Sequence, residues 1–322
     1  MKNQYILLLC GFTLLIGAAV GWVSSKDEGI HPQSKQRFVL AQTSSVEVPE
    51  SVTFCGQEIA LERYDMRERF DREINTFTYF HSSTMLMIKR ANRYFPLIEP
   101  ILKKYQVPDD FKYLAVIESM LEVRALSPAK AAGLWQFMAA TGKEYGLEVS
   151  EQIDERYHVE KSTEAACKYL LNAYKEFGDW MDVAASYNAG IPRIKTELSR
   201  QQVNSFFDLL VVEETSRYVF RMMAIKQVFT HPHLYGFVLK RSDLYPPIRT
   251  KDVEITADVE DFALFAKEYE MDYFQLKNFN VWLRDRGLKT KGKTYTVQIP
   301  IKEDMYYTPS KVKVHNENWI VE

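Results

Sequence analysis

Apolar residues recur at intervals of three and four through most of residues 61–230, the spacing that gives a helix one buried face. Phe70, Ile74 and Phe77 mark one such face, and residues 85–93 read as a second helix. Pro96 suits the first turn of a third helix running through Leu102. Val107-Pro108-Asp109-Asp110 then breaks the pattern, with Asp109 or Asp110 placed to cap the next helix. The clearest stripe lies in residues 159–177, where Ala166, Tyr169, Leu170, Ala173, Tyr174 and Phe177 share one side and Gly178 suits the stop. Residues 180–187 form another helix, as do residues 213–229, which align Tyr218, Met222, Ile225 and Phe229. Near 240–250 the style changes. Residues 253–255 read as a strand, 261–269 and 273–279 as short helices, and 294–300 alternate like a strand that ends at Pro300. The order is βααβ.

This pattern predicts a mainly α domain over residues 59–240, a small α+β module over 251–301, and a tail at 302–322 in which no period is visible. Residues 24–58, rich in Ser, Gln, Val and Pro, read as a linker. Within residues 1–23, a run of 19 uncharged residues, Tyr5–Val23, follows Lys2. It is long enough to cross a bilayer core of roughly 30 Å. Gly17-Ala18-Ala19 also offers the small residues of a signal-peptide cleavage site. A lipid anchor at Cys10 fits less well, since Leu9 before it is not small. Each reading predicts export to the cell envelope, with the membrane as a partner if the segment is retained.

At 322 residues with 46% hydrophobic content, the chain has ample material for a core. A net charge of −2 gives no global basic field, so nucleic acid is not an expected partner. No Gly-rich phosphate loop and no Cys/His cluster of metal-ligand spacing occurs, so no cofactor and no metal are expected. Cys55 and Cys167 could pair in an exported chain; the small-residue helix face around Cys167 reads rather as a buried thiol.

Chemistry concentrates in residues 111–138. Phe111, Leu114, Glu118 and Leu121 share one helix face, and a carboxylate there is out of place. Burial would raise its pKa, as a general acid near neutral pH requires; pairing with a nearby arginine is the plainer reading. Downstream, Ala131-Ala132-Gly133 permits close backbone approach, Trp135 can form a wall, and Gln136 can donate and accept hydrogen bonds. That set suits a polar, uncharged polymer such as a glycan. Tyr187-Asn188-Ala189-Gly190 reads locally as a helix end, and Glu214 with Arg217 as a solvated pair.

Glu118-Ser119, residues 133–138, residues 187–190 and residues 214–219, in that order, resemble the signature motifs of lytic transglycosylases with a lysozyme-like domain, within a core of 90–232. Residues 264–267, 276–280 and 295–300 resemble a divergent LysM module, with Asp258-Val259-Glu260-Asp261 where a Gly-Asp-Thr turn is usual. The resemblance implies a lysozyme-like fold and peptidoglycan glycan strands as partner. It implies cleavage between N-acetylmuramic acid and N-acetylglucosamine, with Glu118 as acid and then base and a 1,6-anhydro end as product. It implies that Ser119 and Gln136 orient Glu118 or the sugar, and that Tyr187, Asn188 and Tyr218 line the cleft. The module is expected to retain the protein on the wall. Two alternatives stand: a hydrolytic muramidase with Glu122, Asp154 or Glu214 as a second carboxylate, and a non-catalytic scaffold.

Overall fold

The computed structural model describes residues 43–321. The expected export segment and most of the expected linker lie outside them. Among the described residues no helix is long and apolar enough to cross a membrane.

The described chain begins with an antiparallel hairpin, β1 (Ser51–Phe54) and β2 (Gln57–Ala60), with Ser51 opposite Ala60 and Phe54 opposite Gln57. It occupies the end of the stretch read as linker. Four-residue strands are too short to display a period, yet Val52, Phe54 and Ile59 are all buried. Two long helices follow, α1 (Tyr64–Tyr79) and α2 (His81–Lys104). Where the prolines suggested two helices, α2 is one, with Pro96 and Pro100 inside it. Each interior proline costs a helix roughly 3 kcal/mol. Burial of Met87, Ile88, Ala91, Phe95, Ile98 and Leu102 along one continuous stripe offsets that loss.

A turn of 3₁₀ helix leads into α3 (Lys112–Ser119). Neither expected aspartate caps it. Asp110 instead accepts a hydrogen bond from the Cys55 backbone N–H at 2.6 Å and pairs with Lys226 at 2.8 Å, while Asp109 pairs with Lys112 at 2.5 Å. After the short α4 (Ala139–Glu144) come α5 (Val159–Phe177), ended by Gly178 at φ +70°, and α6 (Trp180–Ala189), capped by Asp179. Next are α7 (Ile191–Gln201) and α8 (Glu213–Thr230). Helix α8 runs through the centre against α1, α3 and α6. Tyr218, Val219, Phe220, Met222, Met223, Ala224 and Ile225 are all buried, so most of its circumference is covered and only the strip of Glu214, Arg217 and Arg221 stays open.

The βααβ module forms as the pattern predicts: β3 (Thr250–Ile255) pairs antiparallel with β4 (Tyr295–Pro300) around α9 (Phe262–Glu268) and α10 (Tyr273–Phe279). In the divergent turn, Asp261 caps α9 by accepting from Ala263 N–H at 2.8 Å, and Asp258 accepts from Thr290 N–H at 2.8 Å. Residues 45–321 belong to one compact unit, so the module is joined to the helical domain and is not strung behind it. The patternless segment after 302 packs back as well: buried Trp319 donates from its indole to the Phe229 carbonyl at 2.8 Å, and Val321 N–H donates to Leu239 at 2.8 Å. Cys55 and Cys167 are both free thiols, and Cys167 is fully buried.

Candidate active site

Glu118 occupies the last turn of α3 because the helix stops immediately behind it. Met120 and Leu121 both adopt left-handed backbone, at φ +53° and +54°. For non-glycine residues this costs roughly 1–2 kcal/mol each. Leu121 is anchored by full burial, and the Met120 carbonyl accepts from Arg90 at 3.0 Å while Arg90 also pairs with Glu122. The abrupt stop aims the 118–127 segment into a cleft of about 850 Å³. Glu118, Ser119, Gln136, Glu214, Arg217 and Arg221 are among its polar lining, and Phe77 and Phe80 belong to its apolar part.

Burial raises the Glu118 pKa above the ordinary carboxylate value, and the charge of Glu214 adds to the rise. The Tyr218 hydroxyl, donating a hydrogen bond to Oε1, and the Arg221 cation act in the opposite sense without reversing it. Tyr218 comes from buried α8, and burial holds its own pKa well above the usual phenol value, so it stays a donor. A carboxyl so placed can release a proton and then be stabilised as a carboxylate.

The other expected residues fall in two groups. Ser119 and Gln136 line the cleft. The Ser119 hydroxyl donates to the Ala115 carbonyl at 3.0 Å, one turn back along its own helix. Gln136, at φ +49°, donates from its amide nitrogen to the Gly133 and Ala125 carbonyls at 2.9 and 3.3 Å, leaving the amide oxygen to present. Tyr187 and Asn188 lie behind the lining. The Tyr187 hydroxyl donates to the Trp135 carbonyl at 2.8 Å, tying α6 to the loop that bears Gln136. Asn188 accepts from the Thr215 hydroxyl at 2.8 Å and donates to Glu214 at 3.3 Å. Trp135 forms no wall; it is fully buried, with its indole donating to the Thr163 hydroxyl at 2.9 Å.

Of the three carboxylates considered beside Glu118, Asp154 is locked to Arg156 at 2.7 and 2.9 Å and Glu122 to Arg90. Glu214 lines the cleft. Arg217 does not pair with it. Its guanidinium binds Glu73 of α1, at 2.6 and 3.1 Å, and Glu73 is fully buried. Glu73 stands in the stripe of Phe70, Ile74 and Phe77, the same signal that marked Glu118, and there the plainer reading of a buried paired carboxylate holds. Arg221 was not foreseen, since an arginine among the apolar residues of α8 carries no local signal of what it faces. Among the described residues no cluster of His, Cys, Asp or Glu could hold a metal ion.

The loop behind the cleft depends on one glycine. Gly133 lies at φ +80°, and a Cβ there would sit 1.8 Å from the Arg156 carbonyl oxygen. Arg156 in turn donates to the Lys130 and Phe137 carbonyls at 2.9 and 3.0 Å, closing the loop from both ends.

Residues 96–209 match the family model of the transglycosylase SLT domain, and residues 251–303 that of the soluble lytic transglycosylase C-terminal LysM-like domain. The chain is 30% identical over 277 residues to membrane-bound lytic murein transglycosylase D of Escherichia coli (strain K12), covering 84% of this chain and 60% of that protein. It is 29% identical over 144 residues to a putative tributyltin chloride resistance protein of Alteromonas sp. (strain M-1), covering 44% of this chain and 70% of that one. It thus spans 60% of the length of the curated transglycosylase it matches. The 70 kDa soluble lytic transglycosylase of Escherichia coli, a solved structure, is 23% identical with a TM-score of 0.38 over 42% of this chain and 24% of that one.

Proposed function

We propose that this chain, whose residues 96–209 belong to the transglycosylase SLT domain family, cleaves the β-1,4 bond between N-acetylmuramic acid and N-acetylglucosamine in peptidoglycan strands. The observation that carries the reading is one carboxyl group, raised in pKa by burial, hydrogen-bonded to a buried phenol and facing a cleft large enough for sugar rings. In this reading Glu118 donates its proton to the glycosidic oxygen as the C1–O bond breaks. The resulting carboxylate, held by the Tyr218 hydroxyl and the Arg221 charge, takes the proton of the muramyl C6 hydroxyl. O6 then bonds to C1, Glu118 is again protonated, and no water is consumed. The end left is 1,6-anhydromuramic acid. The substrate's own N-acetyl group can share the positive charge at C1.

The relative named as membrane-bound supports an envelope location, with the N-terminal segment as signal or anchor. The LysM-like module supports glycan strands as the partner. One observation favours a second reading: Glu214 lines the same cleft and could activate water, as a muramidase requires. Mass spectrometry of products from purified peptidoglycan separates the two. The expected product is one water lighter than that of a hydrolase, and a reducing muramic acid end as main product would replace this reading with the hydrolytic one. Glu118→Gln should lose about 100- to 10,000-fold in turnover, and full activity in that variant would refute both.

A further inference from the structure

We propose that the C-terminal module is a working part of the active site, holding the two loops that frame Glu118, with Trp282 and Asn278 as positioning residues. The inference rests on the function proposed above only for the bond being cut. The loops are residues 119–127, which follow Glu118, and residues 130–137, which bear Gln136. They are joined to each other near Gln136, where Gly133 N–H and the Gln136 amide donate to the Ala125 carbonyl at 2.9 and 3.3 Å and Leu126 bridges Ala132.

Each loop is tied on its far side to one short stretch of the module. The first loop faces the cleft through Ser119, Met120 and Leu126, and turns Glu122, Val123 and Arg124 toward a second cavity, of about 330 Å³, between the helical domain and the module. From there Arg124 donates to the Asn278 side-chain oxygen at 2.9 Å and to the Lys277 carbonyl at 3.3 Å. The second loop is closed by Arg156, which is fixed by Asp154. The backbone N–H of Asp154 donates to the Trp282 carbonyl at 2.8 Å, Arg284 N–H donates to Gln152 at 2.8 Å, and buried Ile153 bridges buried Leu283 between them. Both chains of contacts therefore end in residues 277–284.

Trp282 seats that stretch. It is buried at the junction, with its ring 5.7 Å from His158 and 6.2 Å from Tyr295. Among the described residues its indole N–H meets no acceptor, and the contacts it makes at the junction are those of its ring. Glu118 and Tyr218 are rooted separately, in α3 and α8. Loosening the module would leave the acid and its phenol in place and release the loops that hold the sugar against them. A module acting only by retention on the wall predicts no effect on a soluble substrate.

The test uses the full chain and soluble, uncrosslinked glycan fragments, with bond cleavage counted whatever end it leaves. Trp282→Ala should lower kcat about 10- to 100-fold, the scale of a misplacement near 1 Å, with a smaller change in KM. Trp282→Phe, which keeps an aromatic ring in the junction, should keep most of the wild-type turnover. Asn278→Ala, at an exposed site, should lower kcat in the same sense without a fall in thermal stability, and Asn278→Asp should restore it. Hydrogen exchange should quicken at residues 119–127 and 130–137 in the alanine variants and stay unchanged in α8. Unchanged kcat in Asn278→Ala and Trp282→Ala would overturn the proposal, as would quickened exchange spread across α8. A hydrolytic product from the wild type would overturn the function proposed above and leave this inference standing on kcat and exchange.

Discussion

Glu118→Gln should make the protein more stable while it abolishes turnover, and the gain should depend on pH. The carboxyl is more basic in the folded chain than in the unfolded one, chiefly because burial penalises its charge. The folded state therefore binds this proton more tightly. Wild-type stability from this group is complete below the unfolded glutamate pKa, about 4.3, and declines as pH rises toward the higher folded value. Glutamine has no proton to lose, keeps the shape, and can still accept from the Tyr218 hydroxyl. Each tenfold weakening of the acid corresponds to about 1.4 kcal/mol, and 1 kcal/mol moves Tm by roughly 2–4 °C in a chain of this size. A higher Tm for the variant at pH 8, by a margin that closes toward pH 4, is the expected result. Thermal unfolding of both proteins at a series of pH values reads it. A variant less stable than wild type at pH 8, or a difference that does not change with pH, would refute the view of Glu118 as a carboxyl held neutral by burial.

Tyr218→Phe removes the hydrogen bond that restrains the Glu118 pKa, so the alkaline limb of the kcat/KM profile should move to higher pH. Loss of a bond to the charged form, about 1.5–3 kcal/mol, should also cut neutral-pH turnover roughly ten- to a hundredfold; a limb moving to lower pH would contradict the assignment. Gly133→Ala should destabilise by more than about 4 kcal/mol, since its Cβ would lie 1.8 Å from a backbone oxygen; a urea midpoint equal to wild type would contradict this. Trp319→Ala should cost about 3–5 kcal/mol, read by denaturant titration, because the ring fills a site against Phe95 and Phe229.

Local periodicity made α5, α6, α8 and the βααβ order legible; α5 and α6 each stop at a glycine suited to stopping, while α8 showed in its row of Tyr218, Met222, Ile225 and Phe229. Glu118 was legible for the same reason, as a charge in an apolar stripe. Glu73 gave the same sign and means something else. Its partner, Arg217, lies 144 residues away, and no window along the chain brings the two together. The prolines of α2 misled because a helix break is a local preference and the stripe that overrides it is a tertiary contact. Tyr187 was placed near the acid by resemblance, but the bond it makes, to the Trp135 carbonyl, could not be read from side-chain types. Arg221 had no pattern at all, since its meaning comes only from where α3 ends.

The packing of residues 312–321 sets the timetable of folding. Asn92, near the middle of α2, donates to the Lys313 carbonyl and accepts from His315 N–H, across separations of 221 and 223 residues. Trp319 completes the layer above Phe95 and Phe229. A chain delivered from its N-terminal end brings α2 to its folding compartment more than 200 residues before these partners. Through that interval Phe95 has no lid, and the helical domain can collapse but cannot close. Contacts of such long separation form slowly, so this layer is expected to close last, leaving Phe95 exposed to chaperones and proteases until residues 312–321 dock.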